Sequence, residues 1–424
     1  MVNYYLFFII LIYCCKFFQS LKNETKSFGY DEQLSHLSYY YFLQEVKSIS
    51  NYYFTTLYLG KSKSPQAYIL DTESSNTASP CDKCKSCKEH FNPKYKLKDK
   101  SKIISCNSER WNLVSDNMCI SNKCSFYINN LEKSELFGFY FNENVYFEMI
   151  DKEERITNIP YNIPLGCDTK ETNLFKTQLT DGILGLSKND KSFVSILYKI
   201  NIIQNNIFSL CFSHEIESES SYFSIGKIFT THHLSKNIKY VDLVNGIKKD
   251  AYCFKLDYIK IGKKKINYNG LAYIELGASK TYFPERIFEE IMNAYKDLYT
   301  KRKKCINLIR KEELGYCFKL YRHLDQDEIF DFISKELNNI TLALDGYIFK
   351  WKPENYFNIY DIDGNFICLG FAGENREDIL FGITFMRGND IIFDKDKNRI
   401  GFVPSNCSRF ERLENDEEDY KDDI

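Results

Sequence analysis

The sequence lacks an excess of charge of either sign, and this limits the choice of partners. Its 424 residues carry 56 lysines and arginines against 58 aspartates and glutamates, a formal net charge of −2. Proteins that bind nucleic acids through their phosphates usually present a clear basic surface. We therefore expect no nucleic-acid partner.

Long hydrophobic runs are also scarce. The strongest apolar run covers residues 6–13, which is too short to span a bilayer comfortably. A secretory signal peptide over residues 1–20 is the interpretation we favour, and a retained membrane anchor is the alternative. Because no later stretch approaches the length of a membrane span, we expect no stable transmembrane anchor beyond this segment.

Histidine is rare, with six residues, whereas cysteine is abundant, with fifteen. Without Cys14 and Cys15 of the signal peptide, thirteen cysteines remain, far more than a reduced cytosolic protein carries. The odd number leaves one of them without a disulfide partner. Together with the sequons at Asn23, Asn339 and Asn406, this predicts a disulfide-bonded glycoprotein of the endoplasmic reticulum lumen or the extracellular space.

Six cysteines crowd into residues 81–124. Such spacing can bind zinc, but no histidine stands at ligand spacing, so we favour a disulfide-stapled loop and expect no metal. The pairing of these cysteines stays open. The six are Cys81, Cys84, Cys87, Cys106, Cys119 and Cys124.

The chain is longer than one hydrophobic core usually serves, and it contains an internal repeat. Ile69-Leu70-Asp71 is followed about 110 residues later by residues 182–185, and Tyr273-Ile274-Glu275 is followed at a similar distance by residues 378–382. Two copies of one strand-loop unit predict two related β lobes. We divide the chain into a signal peptide (1–20), a short N-terminal or pro-like segment (21–50), an N-terminal β lobe (51–230) with a cysteine-rich insert (81–124), a linker (231–250), a C-terminal β lobe (251–410) and an acidic disordered tail (411–424).

Local patterns predict several elements. Alternating apolar residues at 53–60 and a turn at 64–66 predict a hairpin that leads into Asp71. Apolar residues at helical spacing behind Pro284 predict a helix that begins there. The adjacent His232 and His233 lie in a polar stretch without periodicity, and we expect them in an exposed loop rather than in a metal site.

Asp71, Thr72, Glu73 and Ser74 follow the predicted strand, and this stretch resembles the Asp-Thr-Gly-Ser motif of pepsin-type aspartic proteases. Residues 181–186, 208–211 and 392–403 resemble other segments of that family. A cysteine-rich loop after the first motif is typical of its nepenthesin-like branch. The resemblance implies a mostly β, bilobal pepsin-like fold with a few short helices, a monomer without a cofactor, and a polypeptide substrate or peptide ligand.

The resemblance also assigns residues to the chemistry. Aspartic proteases bring two carboxylates close enough to share a proton, so that one activates water and the other polarises the scissile carbonyl. Asp71 and Glu275 are the candidate catalytic residues. Thr72, Ser74 and Gly277 are the candidate supporting residues, and the resemblance implies a disulfide between Cys211 and Cys407.

Several positions depart from the family pattern. The second motif is Glu275-Leu276-Gly277-Ala278, so that the acid is one methylene longer and both hydroxyls are missing. Glu73 replaces a glycine, so we expect it to crowd its turn or to bring a third negative charge into the site. In the flap, Asn130 stands where the family has a tyrosine and Lys133 where it has a glycine.

Two hypotheses follow from these departures. The first is a weak or inactive pseudoprotease that binds peptides or partners. The second is a divergent endopeptidase with a working Asp71/Glu275 dyad, and an ion pair between Glu275 and Lys280 would count against it. We also expect Cys305 to pair with Cys317 and close the loop behind the predicted helix.

Overall fold

The described part of the chain begins two residues before the first strand of the β fold. The computed structural model describes residues 40–49, 52–114, 118–129, 134–147, 159–213, 221–246, 248–299, 307–311, 315–319, 326–360 and 366–407. The predicted signal peptide, Asn23, Asn130, Lys133, Cys305 and the acidic tail lie outside these residues.

Strands dominate the described residues, as the sequence predicted. Those of the first half are β1 (Phe42–Ile49), β2 (Tyr52–Leu59), β3 (Ser64–Asp71), β4 (Ala78–Pro80), β5 (Cys119–Ile120), β6 (Lys123–Asn129), β7 (Glu135–Phe147), β8 (Tyr161–Glu171), β9 (Gly182–Gly185), β10 (Ile207–Cys211), β11 (Ser221–Ile225) and β12 (Lys239–Asp242). Those of the second half are β13 (Tyr252–Ile261), β14 (Lys264–Ile274), β15 (Thr281–Pro284), β16 (Asn307–Lys311), β17 (Gly315–Lys319), β18 (Ile340–Leu344), β19 (Tyr347–Trp351), β20 (Phe357–Tyr360), β21 (Phe366–Leu369), β22 (Phe371–Glu374), β23 (Ile379–Phe381), β24 (Asn389–Asp394) and β25 (Arg399–Pro404).

The helices are few and mostly short. They are α1 (Trp111–Val114), α2 (Asn173–Thr177), α3 (Phe193–Lys199), α4 (Glu285–Tyr299), α5 (Gln326–Glu336), α6 (Pro353–Tyr356) and α7 (Ile383–Met386), with a 3-10 turn at Lys100–Lys102. The predicted helix behind Pro284 is α4, which buries Ile287, Ile291 and Tyr295 on one face. None of the helices in the described ranges is long and apolar enough to cross a membrane.

The strands form one large sheet and two smaller ones. The large sheet runs β12-β25-β24-β10-β11-β1-β2-β3-β9-β4-β8-β7-β6-β5, and a further pairing joins β2 to β7. The second lobe has the sheet β19-β18-β13-β14-β23-β15-β22 and the sheet β16-β17-β21-β20. Strand β1 pairs with both β11 and β2, so residues 42–49 are part of the folded body.

The predicted repeat is present as the same strand pairing in each lobe. In the first lobe β3 runs parallel to β9 and places Asp71 opposite Gly185. In the second lobe β14 runs parallel to β23 and places Ile274 opposite Phe381. The prediction of two related β lobes is therefore confirmed.

Glycine is required where each lobe closes behind its motif. A side-chain carbon on Gly185 would lie 2.5 Å from the backbone of Ser75, and one on Gly382 would lie 2.2 Å from the carbonyl oxygen of Lys280. Both glycine N–H groups donate to a threonine hydroxyl, that of Thr77 in the first lobe and that of Thr281 in the second. The two motif loops are thus supported in the same way.

Five disulfides lie within the described residues. They are Cys81–Cys167, Cys84–Cys87, Cys106–Cys119, Cys211–Cys407 and Cys317–Cys368. Cys124 and Cys253 are buried outside these disulfides, so the expectation that a single cysteine lacks a disulfide partner is wrong.

Two of these pairs join cysteines that sequence spacing does not bring together. Cys81 of the insert is bonded to Cys167 on β8, so the insert is stapled both internally and to the sheet. The expected Cys305–Cys317 pair is wrong, because β17 pairs with β21 and places Cys317 opposite Cys368.

The expectation that His232 and His233 lie in an exposed loop is also wrong. His232 is buried and its ring packs against that of Tyr222. His233 Nε2 lies 2.9 Å from Asp390 Oδ2, and both of these side chains are almost fully buried. A buried carboxylate requires a hydrogen-bonded partner, and His233 supplies it for Asp390. The polar sequence around His233 could not indicate this contact, because Asp390 is 157 residues away in sequence.

Candidate active site

The two candidate acids lie at corresponding points of the two lobes. Asp71 ends β3, and Glu275 directly follows β14. The Asp71 carboxylate accepts a hydrogen bond from the Glu73 N–H at 2.8 Å, and it is also hydrogen-bonded by the hydroxyl and the backbone of Ser74. The first motif therefore retains the contacts that orient its acid.

Thr72 joins the two lobes beneath the acids. Its hydroxyl donates to the Ile274 carbonyl oxygen at 3.2 Å and accepts from the Leu276 N–H at 3.1 Å. Leu276 occupies the corresponding position of the second lobe and is 5% exposed. Because leucine has no hydroxyl, it cannot make the corresponding hydrogen bonds to the first lobe. At these two positions the lobes are therefore joined only by the hydrogen bonds of Thr72.

The site contains a cation that the sequence analysis missed. The ammonium group of Lys248 is hydrogen-bonded to Glu73 Oε1 and lies 3.3 Å from Glu275 Oε2. It also lies 4.8 Å from the centre of the Tyr273 ring, a favourable cation–π position. Lys248 therefore bridges two of the three site carboxylates.

No local pattern marks Lys248. It lies in the segment we predicted to be a linker, 175 residues from Glu73 and 27 from Glu275 in sequence. Lys280, the partner of Glu275 considered from the sequence, lies two residues after the second motif. Proximity in sequence favoured it, whereas the fold brings Lys248 to the glutamate.

The site favours protonated carboxyl groups, and Lys248 opposes this. Burial raises the pKa of Glu275, and the neighbouring Asp71 charge raises it further. Lys248 and Arg376 act in the opposite direction on the Glu275 pKa. Burial likewise raises the pKa of Asp71, against the hydrogen bonds from Ser74 and the charge of Lys248.

Glu73 was expected to strain its turn, but the structure shows no such strain. Glu73 is absent from the described residues with positive φ, so this turn adopts a conformation open to any L-residue. Its side chain is 38% exposed where it meets Lys248. The expected third negative charge is present, and it is paired with a cation.

In the flap region, β6 and β7 pair antiparallel and place Tyr127 opposite Phe137. Tyr127 is 45% exposed and donates from its hydroxyl to Glu135 Oε1 at 2.7 Å. The absence of a flap tyrosine stays a prediction, because Asn130 and Lys133 lie outside the described residues.

Replacing Asp71 with asparagine should stabilise the protein at neutral pH. Because the Asp71 pKa is raised in the folded state, folding becomes less favourable as the pH rises from the unfolded value of about 3.9 through the folded pKa. An asparagine carries no charge and can still accept from the Glu73 N–H. We expect Asp71→Asn to raise the melting temperature at pH 7 by roughly 1–3 °C.

The gain should disappear below about pH 3.5, where aspartate is protonated in both states. Asp345→Asn is the matched control, because Asp345 is exposed in the turn between β18 and β19, and it should change little at either pH. A gain that persists at low pH would contradict the charge as its cause.

Each of the two β lobes places an acid at the end of a matching strand. This arrangement defines the class of pepsin-fold proteins. Comparison with known families agrees. The family model described as "Xylanase inhibitor N-terminal" matches residues 53–227, and "Xylanase inhibitor C-terminal" matches residues 251–404. The chain belongs to the pepsin-like aspartic protease family.

Individual proteins show the same relationship. Plasmepsin V of Plasmodium falciparum is 28% identical over an alignment of 434 positions. The alignment covers 84% of this chain and 70% of that protein. Aspartyl protease AED1 of Arabidopsis thaliana is 23% identical over 376 residues, with 84% and 72% covered. The crystal structure of edgp superposes with a TM-score of 0.68 at 17% identity, and the match covers 87% of this chain and 97% of the edgp chain. The two proteins share the fold.

Proposed function

We propose that this protein is a pseudoprotease that binds peptides or a protein partner through its candidate active site without cleaving them efficiently. One observation carries the proposal: the Lys248 ammonium is paired with both Glu73 and Glu275. The catalytic mechanism requires a proton shared between two acids. A cation held beside Glu275 favours its ionised form and works against that sharing.

The substitutions in the second motif support the same proposal. Glu275 carries its carboxylate one methylene further from the backbone than aspartate does, and a misplacement of about 1 Å can cost roughly a hundredfold in rate. Leu276 cannot return the bonds that Thr72 makes. Ala278 has no hydroxyl to orient Glu275 as Ser74 orients Asp71, and the Glu275 carboxylate accepts a hydrogen bond from Lys248 instead.

The proposed ligand is a polypeptide. Relatives of this chain are named as a plasmepsin and an aspartyl protease, and the strands that build their fold are present here. The disulfides indicate an oxidising compartment, and we propose that the protein acts as a monomeric glycoprotein in the secretory pathway.

A divergent endopeptidase is the second candidate, and one observation favours it. Asp71 raises the pKa of Glu275, so the two acids influence each other as members of a dyad do. In this alternative, Lys248 would have to leave Glu275 when a peptide binds.

Peptide cleavage distinguishes the two candidates. Purified protein from a disulfide-forming host would be incubated with a peptide library between about pH 4 and 7, the range in which paired carboxyls titrate, beside Asp71→Ala. We expect no products that depend on Asp71, and we expect the immobilised native protein to retain a subset of the peptides intact. Products that disappear in Asp71→Ala would establish the endopeptidase instead.

A further inference from the structure

One loop lies behind both parts of the candidate site. It comprises residues 186–192, between β9 and α3, and we call it the support loop. The Leu186 N–H donates to the Asp71 carbonyl oxygen at 2.7 Å, and the Ser187 N–H donates to the Ser74 carbonyl oxygen at 3.1 Å. The support loop therefore fixes the backbone at both ends of the Asp71 motif.

The same loop holds the segment that presents Lys248. The Lys188 N–H donates to the Asp250 carbonyl oxygen at 2.8 Å. The Asn189 amide donates to Asp250 Oδ2 at 3.1 Å. Because Asp250 is two residues from Lys248, the position of the support loop affects where the Lys248 ammonium lies.

A second lysine fastens the support loop to the central strands. Lys395 lies in the turn between β24 and β25 and directs its ammonium into the loop. Its Nζ donates to the Ser187 carbonyl oxygen at 2.9 Å, to the Asn189 carbonyl oxygen at 2.8 Å and to the Ser192 hydroxyl at 2.7 Å. These acceptors use all three N–H groups of the ammonium.

We propose that Lys395 is a positioning residue for the candidate site: through the support loop, its ammonium fixes both the Asp71 motif and the Lys248 segment. This inference rests on the proposed function, since it concerns the cation that we hold responsible for the impaired dyad. Lys395 contacts neither acid and acts only through the support loop.

The contact depends on the charge of Lys395. A neutral amine can still donate to the two carbonyl oxygens and accept from the Ser192 hydroxyl, but hydrogen bonds from a charged ammonium are roughly twice as strong. Burial lowers the pKa of Lys395 to about 7. The charged groups around it are Asp190, Lys199 and Asp250.

The sign of the pH effect follows from this lowered pKa. Below about pH 7 the three bonds are made by a charged ammonium, and above it they are made by a neutral amine and are weaker. The support loop should then hold the Lys248 segment less firmly as the pH rises from 6 to 8. Glu73 and Glu275 would lose contact with Lys248 more often, without any change in the global fold.

The reactivity of Lys248 toward acetic anhydride tests the proposal. Brief labelling at pH 6, 7 and 8, followed by peptide mass spectrometry, gives the ratio of Lys248 to Lys85 acetylation. Lys85 is an exposed lysine of the insert and corrects for the general pH dependence of amine labelling. In the native protein we expect the ratio to rise about fivefold between pH 6 and 8, because hydrogen bonds from the neutral amine are weaker than those from the ammonium.

Two variants separate positioning from general stability. Lys395→Arg stays charged throughout this range, so its ratio should remain low and independent of pH. Lys395→Met should show the high ratio already at pH 6. A native ratio that does not change with pH, or a Lys395→Met ratio equal to the native value at pH 6, would overturn the proposal.

The pH series on the native protein tests whether Lys395 positions Lys248 even if a variant fails to fold. The labelling experiment uses no peptide, so it is independent of the cleavage assay. If the native protein cleaves peptides, the proposed function fails, whereas the labelling ratio still reports whether Lys395 positions Lys248.

Discussion

A variant with the family residues restored in both motifs is expected to cleave peptides at least about a hundredfold faster than the native chain. The changes are Glu73→Gly, Glu275→Asp, Leu276→Thr and Ala278→Ser. They shorten the second acid, return the missing hydroxyls and remove one of the two carboxylates that hold Lys248. Cleavage rates of a quenched fluorescent peptide pool between about pH 4 and 7 would measure the gain.

The control is Asp71→Ala in the restored background, which should abolish the gained activity. Lys248→Met in the same background should raise the rate further, because it removes the ammonium that pairs with residue 275. A restored variant that is as inactive as the native chain would show that the defect lies outside these four positions. A native chain as active as the restored one would contradict the pseudoprotease account.

Loss of the Cys211–Cys407 disulfide is expected to reduce the free energy of unfolding by about 5 kcal/mol. The bond joins the end of β10 to the segment after β25, across 196 residues of sequence. In the chain-entropy description, a longer closed loop stabilises the folded state more. The two sulfurs are also buried with Leu43, Tyr222 and Phe229.

Urea unfolding of Cys211→Ala/Cys407→Ala would measure this loss. Alanine avoids placing a new hydroxyl in the apolar cluster. The matched control is Cys84→Ala/Cys87→Ala, which opens a loop across a sequence separation of 3 and should cost about 2 kcal/mol. Equal losses in the two variants would contradict the dependence on loop length.

The parts of the fold that were predicted correctly depend on local patterns. The approach to Asp71 alternates as a half-buried strand does, and β2 and β3 form there. The helix behind Pro284 has the spacing of an amphipathic helix. The repeat of an acid after two apolar residues was sufficient to predict two lobes, because each copy builds the same parallel strand pair.

The parts that were missed depend on contacts between distant segments. His233 and Asp390 lie in a loop and on a strand that meet only in the folded sheet. Cys317 and Cys368 are brought together by the pairing of β17 and β21. Neither contact leaves a pattern in its own segment.

The candidate site shows the same division. The acids and their supporting residues follow from the motif, whereas Lys248 is placed by the support loop through Asp250. A lysine in a polar stretch is ordinarily a solvated surface residue. Only the three-dimensional arrangement shows that this one lies between Glu73 and Glu275.

The titration of the Glu275 carboxyl group tests this account most directly. Carbon-13 NMR of protein labelled at glutamate carboxyls, with Glu275 assigned through Glu275→Gln, would follow its midpoint in the native protein and in Lys248→Met. Lys249→Met, at an exposed neighbouring lysine, is the matched control. Since Lys248 lowers the Glu275 pKa, we expect the midpoint to move upward in Lys248→Met and to stay in place in Lys249→Met. The same midpoint in all three proteins would show that Lys248 does not hold Glu275, and would contradict the account.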